Sequence, residues 1–152
     1  MAVVTVQGEK LIARPLAVVQ SQFVDMQHHA STGVHADLAV SNVRPQPGGC
    51  RFTGRRRVLG LRQEDEIEVV RGADGSSTLR SLAGSNAGLL IRQQFESVDP
   101  GRTRVRTTVE LPVRGVLALF APLLRVGLKR DLAIALEEDR RDLEERGYPS
   151  AP

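Results

Sequence analysis

Between His35 and Leu111 the chain holds six strand-length runs in which apolar residues recur at every second position. They read HADLAVSNV, GCRFTGRRRV, QEDEIEVVR, STLRSLAG, GLLIRQQFES and RTRVRTTVEL. The segments between them, RPQPGG, LGLR, GADGS, SNA and DPG, are rich in the residues that favour turns. Successive strands joined by connections this short pair with their chain neighbours in antiparallel fashion, which is a meander. No other feature of the chain narrows its folding options so far.

The flanks complete the order. Val3 to Ile12 is rich in β-branched residues and reads as a seventh strand. Pro15 suits a helix's first turn, and PLAVVQSQFVD spaces Leu16, Val19 and Phe23 at helical intervals. That signal weakens through His29 and ends by Gly33. After Pro112 a long helical pattern begins, with Leu128, Leu132, Leu136 and Leu143 in a stripe and Ala135 beside it. Pro122 is expected to kink it. EEDRRDLEER places opposite charges three and four residues apart and reads as a solvated face, and Gly147 ends the helix. The expected class is α+β in the order β-α-α-β6-α. Residues 1–152 read as one domain.

Composition limits the function. A chain of 152 residues can bury a core without covalent staples, and its lone Cys50 excludes an internal disulfide framework. The start MAVVTVQGEK lacks a basic head followed by an apolar stretch. The longest nearly apolar run, VLALFAPLL, falls well short of the ~20 residues of a membrane span. A soluble cytoplasmic protein is expected. Lys10 and Lys129 are the only lysines among 21 basic residues, a skew that suggests coding bias more than a nucleic-acid surface. The patch Arg55 to Arg57 is followed closely by EDEIE, and four Phe, one Tyr and no Trp leave little for base stacking. Nucleic acid is not an expected partner.

This order of elements resembles the START-related SRPBCC superfamily, and within it the polyketide cyclase/dehydrase and coenzyme Q-binding branch. IARPLAVVQSQFVD (Ile12 to Asp25) is similar to that family's strand exit, proline-led helix and closing aspartate. FESVDPGRTRVRTTVEL (Phe95 to Leu111) looks like its last hairpin, and FAPLLRVGLKRDLAIALEED (Phe120 to Asp139) like its gripping helix. The resemblance implies a helix-grip fold, a seven-stranded antiparallel sheet wrapped around the long C-terminal helix. It also implies an apolar cavity for a polyketide, lipid or quinone. Carriers, cyclases and hydrolases share the layout, so activity must be read from the residues that face the cavity.

Strand alternation gives candidates. In the last hairpin, the DPG turn sets Ser97 opposite Thr103, then Phe95 opposite Val105, Gln93 opposite Thr107, Ile91 opposite Val109 and Leu89 opposite Leu111, all on one face. The other face receives Glu96 opposite Arg104, so the apolar face is the inner one. Gln93 and Thr107 are its polar exceptions. In the preceding hairpin, a four-residue LGLR loop sets Arg57 opposite Glu64 and Arg55 opposite Glu66 outside. It sets Phe52 opposite Val69 and Arg56 opposite Asp65 inside. An inward Arg56 with Asp65 would polarise a ligand's enolate, phenolate or carboxylate; alternatively Arg56 reaches to the cavity mouth and simply holds Asp65. Phe52, Phe95 and Ile91, with Gln93 and Thr107, are the expected ligand-contacting residues.

All three histidines, His28, His29 and His35, lie in DMQHHASTGVHAD. Along an unbroken helix His28 and His35 would stand ~10 Å apart, too far to share an ion, but Gly33 permits a fold-back. His28 and His29 point ~100° apart on a helix and make a poor chelating pair. Asp25, four residues before His29, could orient its ring. Two readings stay open. Either the Asp25–His29 pair is a helix-end hydrogen bond with the other rings at the cavity rim, or the cluster binds a divalent metal. A rim histidine, His29 foremost, could also move a proton. SLAGSNAG lacks the lysine of a phosphate loop, and Cys50 has no evident base.

The expected function is binding of a hydrophobic small molecule, with polyketide cyclase, aromatase or dehydratase chemistry using Arg56, Asp65 and His29. The alternatives are a non-catalytic lipid or quinone carrier that touches a membrane surface, and a metal-dependent enzyme built on the histidines. No cofactor is expected outside that metal reading.

Overall fold

A computed structural model describes residues 2–58 and 60–149. The elements follow in the order β1 (Ala2–Ile12), α1 (Leu16–Val24), α2 (Met26–Thr32), β2 (Ala39–Gln46), β3 (Gly49–Val58), β4 (Leu61–Arg71), β5 (Ser77–Gly84), β6 (Leu90–Asp99), β7 (Arg102–Val113), a 3-10 helix (Gly115–Phe120) and α3 (Ala121–Glu144). The seven strands form a single antiparallel sheet in the order β1-β7-β6-β5-β4-β3-β2. The strands β1 and β2 therefore lie at opposite edges, and α1 and α2 bridge them. The meander and the helix-grip layout stand as expected.

Local chemistry explains the boundaries. Pro15 is the N-cap of α1, and Asp25 both ends α1 and caps α2, accepting the His28 backbone N–H at 3.1 Å. Gly33 closes α2 in the left-handed conformation, φ 63°, which glycine adopts without strain. Pro45 sits in β2, an edge strand where a missing donor costs no ladder bond. Pro122 does not kink the C-terminal helix. It lies in the first turn of α3, where its absent N–H has no partner to lose, and the preceding residues tighten into the 3-10 helix.

The long helix is gripped because β1 lets it approach. A Cβ at Gly8 would stand 2.9 Å from Leu132 Cδ2 and 3.1 Å from Leu136 Cδ1. Val6, Ile12, Val19, Phe23, Val105, Val109, Leu132, Leu136 and Leu143 form the main core around that contact. Met26, Cys50, Phe52 and Val69 form a second one beneath α2.

The β6–β7 register is the one expected, with Gln93 opposite Thr107 and Ile91 opposite Val109. The β3–β4 register differs by two residues. Arg56 lies opposite Gln63 instead of Asp65, Gly54 opposite Asp65, Phe52 opposite Ile67 and Arg55 opposite Glu64. The connection turns more tightly than a four-residue loop, through Gly60 at φ 77°, and Val58 pairs with Leu61. A shift of two keeps every side chain on its face, so alternation cannot detect it.

Candidate functional site

A cavity of about 230 Å³ lies between the concave face of the sheet and α3. Its apolar walls come from Leu79 of β5, Leu89, Ile91 of β6, Val109 of β7, and Leu128, Leu132 and Leu136 of α3. Gln93 and Thr107, paired across β6 and β7, place polar groups on this wall. Ser77 donates its hydroxyl to Gln93 Oε1 at 2.7 Å. Thr107 is 2% exposed, and its hydroxyl oxygen has no partner among the described residues. Asp37, Arg56, Asp131 and Glu138, with the His35 ring beside them, form a polar side of the cavity.

The expected residues divide. Ile91, Gln93, Thr107, Arg56 and His35 line the cavity. Phe52 and Phe95 do not. Phe52 is 1% exposed in the second core, and Phe95 packs edge-on against Phe23 with ring centroids 5.4 Å apart. An inward strand face is not everywhere a cavity face, because α1 and α2 cover the sheet at these two residues. The Arg56–Asp65 pair does not exist either. Arg56 reaches Asp131 of α3 at 3.3 Å, a half-exposed ion pair worth ~0–1 kcal/mol. Asp65 is 7% exposed and lies away from the cavity wall, where it anchors the β5–β6 turn. It accepts from Ser81 Oγ at 2.9 Å, Asn86 backbone N–H at 2.7 Å and Asn86 Nδ2 at 3.0 Å.

The histidines meet carboxylates of α3, and no spacing within DMQHHASTGVHAD foretold these partners. His28 Nε2 donates to Asp142 Oδ2 at 2.7 Å. His29 Nδ1 donates to the backbone carbonyl of Asp25 at 2.8 Å, so the helix-end bond exists but uses the main chain, not the Asp25 carboxylate. The Asp25 carboxylate instead accepts from Tyr148 Oη at 2.8 Å. Burial, with Asp25 and Asp142 nearby, pushes the Tyr148 hydroxyl up and keeps it a donor. His29 Nε2 lies 3.4 Å from Asp139 Oδ1. Desolvation alone would lower the His29 pKa, but the hydrogen bond and charge of Asp139, the Asp25 carbonyl and Asp142 outweigh it, and the pKa is raised. His35 Nδ1 donates to Glu138 Oε1 at 3.1 Å, and its Nε2 lies 3.5 Å from the same Asp139 oxygen. Gln22, fully buried, donates from Nε2 to both Asp139 and Asp142 at 3.0 Å.

Asp139 and Asp142, at 5% and 2% exposure, are the functional candidates that a reading of EEDRRDLEER as a solvated face misses. A signal was present. Asp139 falls three residues after Leu136 and four before Leu143, on the buried stripe itself.

No protein-family model and no curated protein sequence matches the chain. Solved structures do. The Zhui aromatase/cyclase from Streptomyces sp. R1128 superimposes with a TM-score of 0.77 at 15% identity, over 96% of this chain and 99% of that one. A START superfamily protein from Mycobacterium smegmatis gives 0.68 at 15% identity, over 93% and 95%. Major latex-like protein 151 from Panax ginseng gives 0.66 at 13%, over 97% and 99%. The chain has the START-like helix-grip fold. At these identities the likeness extends to architecture, and the chemistry of this helix-grip protein rests on its own side chains. Among the described residues no helix is long and apolar enough to cross a membrane.

Proposed function

We propose that this protein binds a compact hydrophobic small molecule between its sheet and α3 and orients it with Gln93 and Thr107. The observation that carries the reading is an apolar cavity with a polar pair on one wall and ionic groups at one side. Its 230 Å³ lies below the ~300–1,000 Å³ usual for drug-sized ligands. It exceeds the ~150 Å³ that accommodates a benzene ring. One or two fused rings suit it. An aromatic polyketide fragment has this size and carries ketone or phenol oxygens for the Gln93 amide and the Arg56 guanidinium, and the likeness to an aromatase/cyclase supports that substrate class.

Ala135 of α3 lines the cavity without belonging to the core, so A135W fills the space with little loss of packing. Fluorescence titration with 2-naphthol is expected to show at least ten-fold weaker binding to A135W than to wild type. Equal binding would place the site elsewhere. Changed cyclised products with R56A and Q93A, at unchanged melting temperature, would support catalysis.

A second reading, a carrier that collects its ligand from a membrane, draws on a different observation. Val116, Leu117, Leu119, Phe120, Leu123 and Val126 are each more than half exposed around the start of α3. Arg114, Arg125, Lys129 and Arg130 flank them, and no acidic residue occurs from Pro112 to Arg130. Apolar side chains beside basic ones suit an anionic lipid surface. Cosedimentation with phosphatidylserine vesicles, lost in a Phe120→Ser, Leu123→Ser double variant, supports this reading; no cosedimentation by wild type would end it.

A further inference from the structure

We propose that His29, His35 and Asp139 bind one divalent transition-metal ion, zinc or ferrous iron, in the cavity wall. Its remaining coordination positions would open toward the cavity.

The hydrogen-bond directions carry this. A backbone carbonyl and a carboxylate can only accept, so the Nδ1 atoms of His29 and His35 must carry hydrogens for Asp25 and Glu138. That leaves both Nε2 atoms as the free positions. Both face one oxygen, Asp139 Oδ1, at 3.4 and 3.5 Å. The same oxygen also accepts from Gln22 Nε2 at 3.0 Å, so the carboxylate is fixed at the point where the two rings converge. A cation among the three would meet both Nε2 atoms and the carboxylate oxygen at once.

The outer contacts match those of metal ligands. A ligating histidine commonly donates its second ring N–H to a carbonyl or carboxylate, which fixes tautomer and orientation, and both rings do so here. Asp139 is itself held, by Gln22 Nε2 at 3.0 Å. The three donor atoms lie within 4.8 Å of one another. Donors ~2.0–2.2 Å from a tetrahedral ion stand about 3.4 Å apart, a spacing that the two nitrogen–oxygen contacts of 3.4 and 3.5 Å already have. Two imidazoles and one carboxylate suit zinc or iron over magnesium or calcium, and three protein ligands leave positions open. His35 and Asp139 both line the cavity, which puts those positions within reach of an oxygen donor on whatever occupies it. His28 is outside the set because its Nε2 is committed to Asp142.

The site stands on its own donors and is tested with metal alone. Metal-free protein is titrated with Co²⁺ by calorimetry and visible absorption, then challenged with Zn²⁺. One Co²⁺ per chain is expected, displaced by one equivalent of Zn²⁺. His35→Ala, on the half-buried turn after α2, and Asp139→Asn, which keeps its shape, are each expected to weaken binding at least ~100-fold with an unchanged circular dichroism spectrum. H28Q is expected to stay within ~10-fold of wild type. Absence of saturable one-to-one binding, or equal binding by wild type and H35A, would overturn the assignment.

Discussion

Two buried threonines on β7 face the same side of the sheet, and replacing each with valine should change stability in opposite directions. Thr103 is fully buried and donates its hydroxyl to the backbone carbonyl of Arg14 at 2.9 Å. Thr107, four residues on, is 2% exposed with its hydroxyl unpartnered. Valine preserves the β-branched shape, so the comparison isolates the hydroxyl. A buried polar group without a partner costs about 1–3 kcal/mol, and T107V removes that cost. For a chain of this size each kcal/mol moves the melting temperature by about 2–4 °C, so a rise of about 2–12 °C is expected. T103V discards a made hydrogen bond and leaves the Arg14 carbonyl unsatisfied, for a loss of about 1–2 kcal/mol. Thermal melts and urea titrations of both variants, beside wild type, measure the difference. If T107V melts below wild type, the hydroxyl is satisfied in solution, and the view of Thr107 as a polar group held ready on the cavity wall is wrong.

Three further outcomes follow from other contacts. Asp65→Ala strips the acceptor from Ser81 and twice from Asn86, and should cost about 3 kcal/mol in urea unfolding while leaving 2-naphthol affinity within two-fold, since Asp65 is not at the cavity; a selective loss of binding would return it to the site. Gly8→Ala sets a methyl against Leu132 and Leu136 and should destabilise by about 1–3 kcal/mol, read as a lower urea midpoint. Glu137 is hydrogen-bonded by Arg140 and by Lys10 of β1, which hold its carboxyl far below the usual value. A carboxylate lowered in the folded state adds stability that is present above its unfolded pKa of ~4.5 and disappears as pH falls below it. E137Q should therefore melt nearer to wild type at pH 3 than at pH 6, and a constant gap would refute the link.

The hairpin residues show why some registers are legible and others are not. In β6 and β7 a one-residue slip would have moved Phe95, Ile91 and Val109 to the wet face, so hydrophobicity chose the register. In β3 and β4 the competing registers differed by two, which leaves each face unchanged and only exchanges partners. Turn tightness decided between them, and LGLR does not declare it. Arg56 and Asp65 were joined on that ambiguous register, and the structure separates them. The histidines show a different limit. Gly33 announced a reversal of the chain, but where the reversed segment lands depends on packing against residues more than a hundred positions away.

Sequence alone determined the seven strands, the three α-helices and the antiparallel order, because hydrophobic period and turn chemistry are local properties that each segment carries with it. It also determined which faces of the last hairpin are dry. Tertiary structure decided what those faces meet: core for Phe52 and Phe95, cavity for Ile91, Gln93 and Thr107, and three α3 carboxylates for the three histidines. Such meetings depend on how closely α3 approaches β1 over Gly8 and how α1 and α2 fold back. Both are packing outcomes summed over the whole chain, and no local period records them.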